Sequence, residues 1–514
     1  MQWEEEGVSL ARAATVRRWA LSGVGRVALG LVLSAVSAGL LVLAFPPFNL
    51  WFLAWFSFVP YILAQYRIMP PRMASLASSV FNGLWLWGYL GPIFGGSGNF
   101  MAYLPLIVAG ISLLVDWGSR RFHGRTGFRW FVAQGVVAWV GIEMIRIFIP
   151  IAGTWGFVAY TLHSQPWLIQ PASIFGIFGA SALILLVNYA LGLAALRWLD
   201  RPWQPESGMP TPALRLVRRW GIVASITVVA WIGLSLALFL VPQGSSVRVA
   251  AIQPDVSPIL SANRGQAALV AQLHARMAEQ TREAAAQGAQ VIVWPEGALQ
   301  YDPQVQDPLG LADLARETGA YLVIGYVVDV SEGVFRNEAT VISPEGAFLG
   351  VFGKDHPVVF GGETSPTRGT YPVYGTPLGV LGTIICYDLD FTDTARKLVR
   401  QGAQLIAVPS NDWPGIAYTH YTHVVYRAVE NRAAMVKADG GYDSAVVDPY
   451  GRVLALATVP EGGEATLVAD VPLGSGGTIA TRLGDWFGWL CLAGMATFVV
   501  GQGWLVKRAS VSQE

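Results

Sequence analysis

Three polar side chains, Glu296, Lys354 and Cys386, each stand just beyond an apolar stretch, and they are residue types that nucleophilic acyl chemistry needs. Cys386 lies in Gly-Thr-Ile-Ile-Cys-Tyr-Asp-Leu-Asp, from Gly382 to Asp390, a β-branched run that delivers a thiol to the edge of a charged turn. A free cysteine is ordinarily a small buried hydrophobe, so this run alone leaves both packing and chemistry open. Glu296 ends Val-Ile-Val-Trp-Pro-Glu. A carboxylate there could simply start a helix, but its apolar approach points to a partly desolvated group suited to general-base work. Lys354 lies in Gly-Val-Phe-Gly-Lys-Asp-His, and alone it reads as a solvated surface charge. Together the three make chemical sense. A thiol with a pKa of ~8.5 is mostly protonated at neutral pH and needs a base or a nearby cation. After attack on a carbonyl, an ammonium can hold the oxyanion, worth ~3 kcal/mol for a well-placed donor.

The elements that position these groups alternate. Strand-like runs at 247–253, 291–294 and 321–328 are interleaved with helical patterns at 266–287 and 309–318. Further strands are expected at 339–343, 379–385, 405–408, 444–447 and 465–468, with helices at 392–401 and 419–432. Such alternation indicates an α/β domain large enough for one core.

The rest of the chain has another character. Of 514 residues 53% are hydrophobic and 13% charged, about half the charge of a soluble protein, and mean hydropathy is +0.45. Net charge is zero, so no global excess argues for a nucleic-acid or acidic partner. Two cysteines, Cys386 and Cys491, make no disulfide framework. Eight apolar segments approach bilayer-spanning length: 27–45, 50–65, 74–94, 102–115, 131–149, 174–196, 222–241 and 486–506. The first is too long for a signal-peptide core.

Basic residues precede the first segment (Arg12, Arg17, Arg18, Arg26) and follow the second (Arg67, Arg72), fourth (Arg120, Arg121, Arg125, Arg129) and sixth (Arg197, Arg201, Arg215, Arg218, Arg219). Loops 46–49, 95–101 and 151–173 contain no lysine or arginine. The positive-inside rule then puts the N-terminus, the even-numbered loops and Lys507 and Arg508 in the cytoplasm, and the α/β segment outside. The expected organisation is a cytoplasmic segment 1–26, seven spans over 27–241, an extracytoplasmic catalytic domain 242–483, an eighth span 484–506 and a cytoplasmic tail 507–514.

Trp-Pro-Glu-Gly around Glu296, Gly-Lys-Asp-His around Lys354 and Ile-Ile-Cys-Tyr-Asp around Cys386 resemble the Glu-Lys-Cys triad of the nitrilase (carbon-nitrogen hydrolase) superfamily, which implies an α-β-β-α sandwich. Residues 249–254 look like its first strand, and Pro-Ser-Asn-Asp-Trp, with Asn411 and Trp413, like its loop after the nucleophile. Residues 43–51, with Phe-Pro-Pro-Phe, together with 139–146 and 171–191, resemble the apolipoprotein N-acyltransferase family of bacterial inner-membrane enzymes. That resemblance implies eight spans and a periplasmic catalytic domain. It also implies two substrates, a phospholipid acyl donor and the α-amine of a diacylglyceryl-apolipoprotein acceptor, joined through a thioester on Cys386. No cofactor is implied, and the chain is expected to act as a monomer.

Three positions depart from the family pattern. Its second glutamate, in Pro-Phe-Gly-Glu, corresponds to Glu363 in a run one residue longer, Val-Phe-Gly-Gly-Glu. Asp388, after Tyr387, stands where glutamate is common, and Asp-Gly-Gly-Tyr-Asp from Asp439 to Asp443 replaces an Asn-Thr-Gly turn. Glu363, Tyr387, Asp388, Asn411 and Trp413 are therefore expected as supporting or substrate-binding residues. His420 and His423 share a helical face but lack an evident third ligand, so no metal is expected. His356 is expected to pack beside the lysine loop. Glu143 and Arg146 are expected to face the bundle or pair with each other, the alternative being a place near the interface. Trp155, Tyr160 and Trp167 suit an interfacial belt or a lipid-entry rim. Two other readings compete with acyl transfer: a membrane-tethered amidase or nitrilase acting on a small amide, and a catalytically inert scaffold.

Overall fold

Residues 246–472 form two β-sheets stacked face to face. The computed structural model describes residues 23–94, 103–199, 208–241, 244–255, 266–358 and 362–511, with side chains to 501. The first sheet holds β1 (Ser246–Gln253), β2 (Val291–Val293), β3 (Tyr321–Ser331), β4 (Val334–Ile342), β5 (Phe348–Gly353), the short β6 (Glu363–Thr364) and β13 (Ala465–Pro472). Its order is β13-β1-β2-β3-β4-β5, with β6 on β4. The second sheet holds β7 (Val373–Thr376), β8 (Gly379–Thr383), β9 (Leu405–Ser410), β10 (Ala434–Asp439), β11 (Asp443–Val447) and β12 (Val453–Thr458), in the order β12-β11-β10-β9-β8-β7. Strands β1, β2 and β3 run parallel, as do β8, β9 and β10.

Side-chain alternation gives each sheet two buried faces. Val249 and Ala251 of β1, with Val291 and Val293 of β2, pack across the sandwich on Leu405, Ala407, Val436 and Val446. The intervening Ala250, Ile252 and Ile292 turn outward, where Met277, Ala284 and Leu314 of two covering helices, Ala267–Ala286 and Leu311–Thr318, bury them. The outer face of the second sheet, with Ile406, Val408, Met435 and Val447, is covered by Thr394–Arg400 and Tyr421–Asn431. The result is the expected α-β-β-α sandwich. Strands β6, β7, β10 and β12 are additional to the sequence expectation.

The helical half contains α1 (Gly23–Ala44), α2 (Leu76–Phe94), α3 (Leu104–Thr126), α4 (Phe131–Arg146), α5 (Ile177–Leu199) and α6 (Leu214–Phe239), and α7 (Trp486–Val511) returns to it after the sandwich. By length and composition α1, α5 and α6 are apolar and long enough to cross a membrane, and the Trp486–Gly501 part of α7 is a shorter apolar helix. The segment expected as the second span, 50–65, is not one continuous helix. It divides into a 3-10 turn Trp51–Trp55, a short α-helix Val59–Leu63 and a π turn Ala64–Ile68. Pro60 starts the second piece, and its ring and missing N–H prevent a helix from running through from Trp51. Most of segment 1–26, loop 95–101, Arg201, and the side chains of Lys507 and Arg508 in the tail lie outside the described residues.

The two halves share one core. A single apolar cluster joins Phe45, Phe58, Phe81 and Phe178 of the helical half to Ile385, Leu389, Val424 and Met435 of the sandwich. The connection runs through loop 147–176. Thr154 donates its backbone N–H to the Asp390 carbonyl at 2.9 Å, and a Cβ at Gly153, whose φ is 45°, would meet that carbonyl at 2.8 Å. Only glycine fits there without moving the catalytic half.

Candidate active site

The three predicted residues emerge at the carboxyl ends of strands from both sheets. Glu296 follows β2, Lys354 follows β5, and Cys386 follows β8 through the extended pair Ile384 and Ile385. The sheets are tied at this edge by Glu296, whose backbone N–H donates to the Ser410 carbonyl at the end of β9 at 3.2 Å. A Cβ on Gly325 of β3 would come within 2.6 Å of the Pro295 carbonyl and 2.8 Å of the Glu296 Cα, so glycine there lets the acid turn approach closely.

Lys354 Nζ donates to Glu296 Oε1 at 2.8 Å and to Glu363 Oε1 at 3.0 Å. Asn337 Nδ2 donates to the same two oxygens at 2.6 and 3.2 Å. The second oxygen of Glu363 accepts the Val358 N–H at 3.0 Å, so Glu363 ties the loop after Lys354 to the cluster despite its one-residue-longer run. Burial opposes the charge on Lys354, but Glu296 and Glu363 outweigh it and hold its pKa well above the usual value.

Cys386 is 8% exposed and opens a 3-10 turn, Cys386–Asp390, with φ of 42°, a strained value for a non-glycine residue. Burial and then the Glu296 charge push its thiol well above the ordinary cysteine pKa, while Lys354 and the Asn411 backbone N–H pull it down. A thiol raised in this way needs a base before it can attack a carbonyl.

The other predicted residues divide by position. Asp388 is fully buried and accepts backbone N–H groups from Ile385, Asp355 and His356 at 2.9, 3.1 and 2.7 Å, which fastens the cysteine turn to the lysine loop. Burial raises its pKa to about 7. Asn411 presents its backbone N–H to the thiol. Tyr387 turns its hydroxyl away, donating to the Pro150 carbonyl at 2.6 Å, and Trp413, 42% exposed, donates to the Ile93 carbonyl at 2.6 Å. Both therefore join the two halves. His356 packs as expected beside the lysine loop, stacked on Phe391 at 3.8 Å and bonded to Asp393 at 2.9 Å.

Behind the thiol lies a polar group that the motifs do not reveal. Asp412 Oδ1 is 3.9 Å from Cys386 Sγ and accepts from His420 Nδ1 at 2.8 Å, while Asp412 Oδ2 binds Lys437 Nζ at 2.7 Å. Asp439 Oδ1 gathers the backbone N–H groups of Gly441, Tyr442 and Asp443 into a tight turn, and its Oδ2 accepts the Asp412 N–H at 2.7 Å. The Asp-Gly-Gly-Tyr-Asp departure thus builds the floor beneath Asp412. A lysine inside a strand of otherwise apolar residues, Ala-Met-Val-Lys-Ala-Asp, is the one sequence signal that could have exposed it.

Trp155 and Tyr160 do not form a belt. Trp155 Nε1 donates to Asp390 Oδ2 at 2.7 Å, and Tyr160 is buried against His423 at 4.3 Å between ring centroids. Trp167 donates to Gln165 at 3.0 Å. Glu143 faces the bundle, accepting from Trp139 Nε1 and the Val158 N–H, and Arg146 donates to the Trp155 carbonyl, so each holds loop 147–176 rather than the other.

An apolar cavity of about 810 Å³ opens between the halves, lined by Phe45, Phe48, Tyr89, Phe94, Trp413 and Tyr418 among others. Trp413 on its wall follows by two residues Asn411, whose backbone N–H faces the thiol; Glu296, Lys354 and Cys386 are not among the lining residues.

Residues 248–481, which hold the sandwich, match the carbon-nitrogen hydrolase family. Residues 37–190 match the apolipoprotein N-acyltransferase N-terminal domain. An apolipoprotein N-acyltransferase of Geobacter metallireducens is 28% identical over 509 residues, covering 90% of this chain and 94% of its own. With both regions matched in order and a relative aligned across nearly its full length, the chain is similar along its length to the apolipoprotein N-acyltransferase family. An omega-amidase of Xenopus laevis is 28% identical over 259 residues, which cover 44% of this chain and 88% of its own. An amidase of known structure from Nesterenkonia sp. is 24% identical, covering 45% of this chain and 93% of its own with a TM-score of 0.36.

Proposed function

We propose that the protein transfers an acyl chain from a membrane phospholipid to the α-amine of the lipid-modified N-terminal cysteine of apolipoproteins, by way of a thioester on Cys386. In this reading the helices of 27–241 and 484–506 lie in the bacterial inner membrane, with 1–26 and 507–514 cytoplasmic. The domain 242–483 works on the periplasmic side, a placement that the distribution of arginines supports.

The observation that carries the proposal is the apolar cavity between the halves, lined from both and reaching Trp413 on the loop that follows β9. A small amide needs no such space, whereas an acyl chain does, and its volume lies in the range of sites that enclose most of a ligand.

The first half-reaction begins when Cys386 Sγ attacks the ester carbonyl carbon and Glu296 takes the thiol proton. Both bonds to Glu296 fall on Oε1, so Oε2 is the proton acceptor. Lys354, held charged by its two carboxylates, stabilises the oxyanion. The tetrahedral species collapses, the ester C–O bond breaks, and Glu296 returns the proton to the departing alkoxide, giving a lysophospholipid. In the second half-reaction the acceptor amine attacks the thioester carbonyl, Glu296 takes a proton from nitrogen, and the C–S bond breaks. The sulfur is reprotonated and the amide departs. Exclusion of water from the apolar cavity favours the amide over hydrolysis.

Asn337 and Glu363 fix the base and the ammonium, and Asp388 fixes the turn that carries the nucleophile. The test is turnover by the purified full-length protein given phospholipid with either a diacylated lipopeptide or a small primary amide. Triacylated lipopeptide should form with the first and no ammonia with the second. Release of ammonia without acyl transfer would support the amidase reading instead.

A further inference from the structure

The helical face carrying His420 and His423 gains in three dimensions the third donor that the sequence does not reveal. We propose that Asp390, His420 and His423 form a binding site for one divalent transition-metal ion, zinc by its donor set.

The three side chains are 1% exposed or less. Asp390 Oδ1 lies 3.3 Å from His420 Nε2 and 2.6 Å from His423 Nδ1, and the three atoms all lie within 4.8 Å of one another. None of these atoms makes a hydrogen bond of acceptable geometry, and neither does His423 Nε2. The close approaches are therefore not explained by hydrogen bonding, although all the atoms are buried, where an unpaired polar group is costly.

His420 Nδ1 faces Asp412, and Nε2 faces the Asp390 oxygen at 3.3 Å. Either a second proton on the imidazole or a metal ion between the two atoms lets them face each other, and the contact geometry does not supply the hydrogen bond that the proton would make. A carboxylate behind a histidine whose other nitrogen faces the ion is the arrangement that commonly orients a metal ligand. Asp390 is oriented in the same way, because its second oxygen accepts from Trp155 Nε1.

The separations fit one ion after a small adjustment. Ligands ~2.0 Å from a tetrahedral zinc stand ~3.3 Å apart, the His420 to Asp390 separation, and the shorter approach of His423 must open by ~0.7 Å. His423 is held by stacking on Tyr160 and Trp155, with no hydrogen bond to break.

Charge points the same way. Asp412, Asp439 and Asp443 are buried around one ammonium, Lys437, Asp390 has only the two imidazoles beside it, and the neighbouring Arg427 is paired with Glu430 at 2.8 Å. A divalent ion offsets the excess of carboxylates in a place with no water to do so. With Trp155 on Asp390, the ion also fastens loop 147–176 of the helical half to the helix behind the nucleophile.

The test is metal content of the full-length protein in detergent, purified through a tag without histidine and dialysed against metal-free buffer. We expect about one zinc per chain, the stoichiometry of a single three-ligand site. Replacement by Co²⁺ should give visible d–d bands. His423→Ala and Asp390→Asn should each abolish both signals, and Cys386→Ala should leave them unchanged. Folded wild-type protein that holds no divalent metal, as purified or after zinc is added, overturns the proposal in favour of a protonated imidazole cluster. Metal retained in the folded His423→Ala variant overturns it equally. If the variants fail to fold, the wild-type stoichiometry and the cobalt spectrum decide.

Discussion

On one side of Cys386 a single ammonium, that of Lys354, lies between two carboxylates; on the other, the ammonium of Lys437 lies among three. Both clusters are buried, and both place a lysine within 3.0 Å of a carboxylate oxygen. They differ in what they leave free. The Lys354 cluster sits at the rim where strands of both sheets end, and one oxygen of Glu296 carries no bond to it, so it can exchange protons with a bound molecule. The Lys437 cluster is closed: its lysine also donates to the Asp443 carbonyl, and Asp439 and Asp412 are tied to backbone N–H groups or to each other's turns. In the proposed reading the same ion-pair chemistry serves reaction on one side and architecture on the other.

If this division holds, substitutions at the rim lose turnover first and those behind the thiol lose stability first. Cys386→Ala should lower acyl transfer by ~10⁴-fold or more, and Glu296→Gln by ~10²–10⁴-fold, each with little change in thermal midpoint. Lys354→Met should cost ~10²–10³-fold in turnover and also lower the midpoint, because Glu296 and Glu363 are left facing each other without their cation. Comparing that midpoint with Glu296→Gln separates the two effects.

On the far side, Trp155→Phe deletes a hydrogen bond to the Asp390 carboxylate. It should destabilise the protein by ~1–3 kcal/mol with a much smaller fractional loss of activity, measured by thermal unfolding alongside turnover. Equal losses in both would erase the distinction.

A smaller effect concerns the loop between the two clusters. Burial opposes protonation of His356, but Asp393 outweighs it and raises the imidazole pKa, and His356 in turn lowers that of Asp393. The folded histidine binds its proton more tightly than the unfolded one. The pair's contribution through His356 is therefore complete below ~6.5 and is lost as pH rises through the folded value. Asp393→Asn should flatten that part of the stability profile, as read by midpoints across the range. The mildest change is Tyr387→Phe, which removes only the bond to the Pro150 carbonyl. It should cost about 1 kcal/mol or less in stability and leave the acylation step intact.

The rim was legible because each of its groups follows a strand whose apolar run is visible in the sequence. Glu296, Lys354 and Cys386 interrupt hydrophobic patterns, and the positions they reach are strand ends. The far side was hidden for the opposite reason. Asp390 and Asp412 stand in polar turns where a carboxylate reads as solvated, and only packing brings Asp390 onto a helix face thirty residues later. Loop 147–176 was misread for the same reason. Trp155 and Tyr160 have the composition of an interfacial belt, and nothing local shows that a catalytic domain covers them.

Among the strands, β10 escaped because Lys437 breaks its apolar run, and β12 because its alternation rests largely on alanine. The second apolar segment has the hydropathy of a span but is short for one, and Pro60 divides it. Hydropathy averaged over a window does not register where one residue stops a helix.

The most direct test is the mass of the Cys386 peptide after the full-length protein is incubated with phospholipid and no acceptor. The account predicts an increase of one acyl chain on Cys386, absent from Cys386→Ala and removed, with amide formed, when a diacylated lipopeptide is added. Unmodified Cys386 and intact phospholipid, in protein that hydrolyses a small amide, would contradict it.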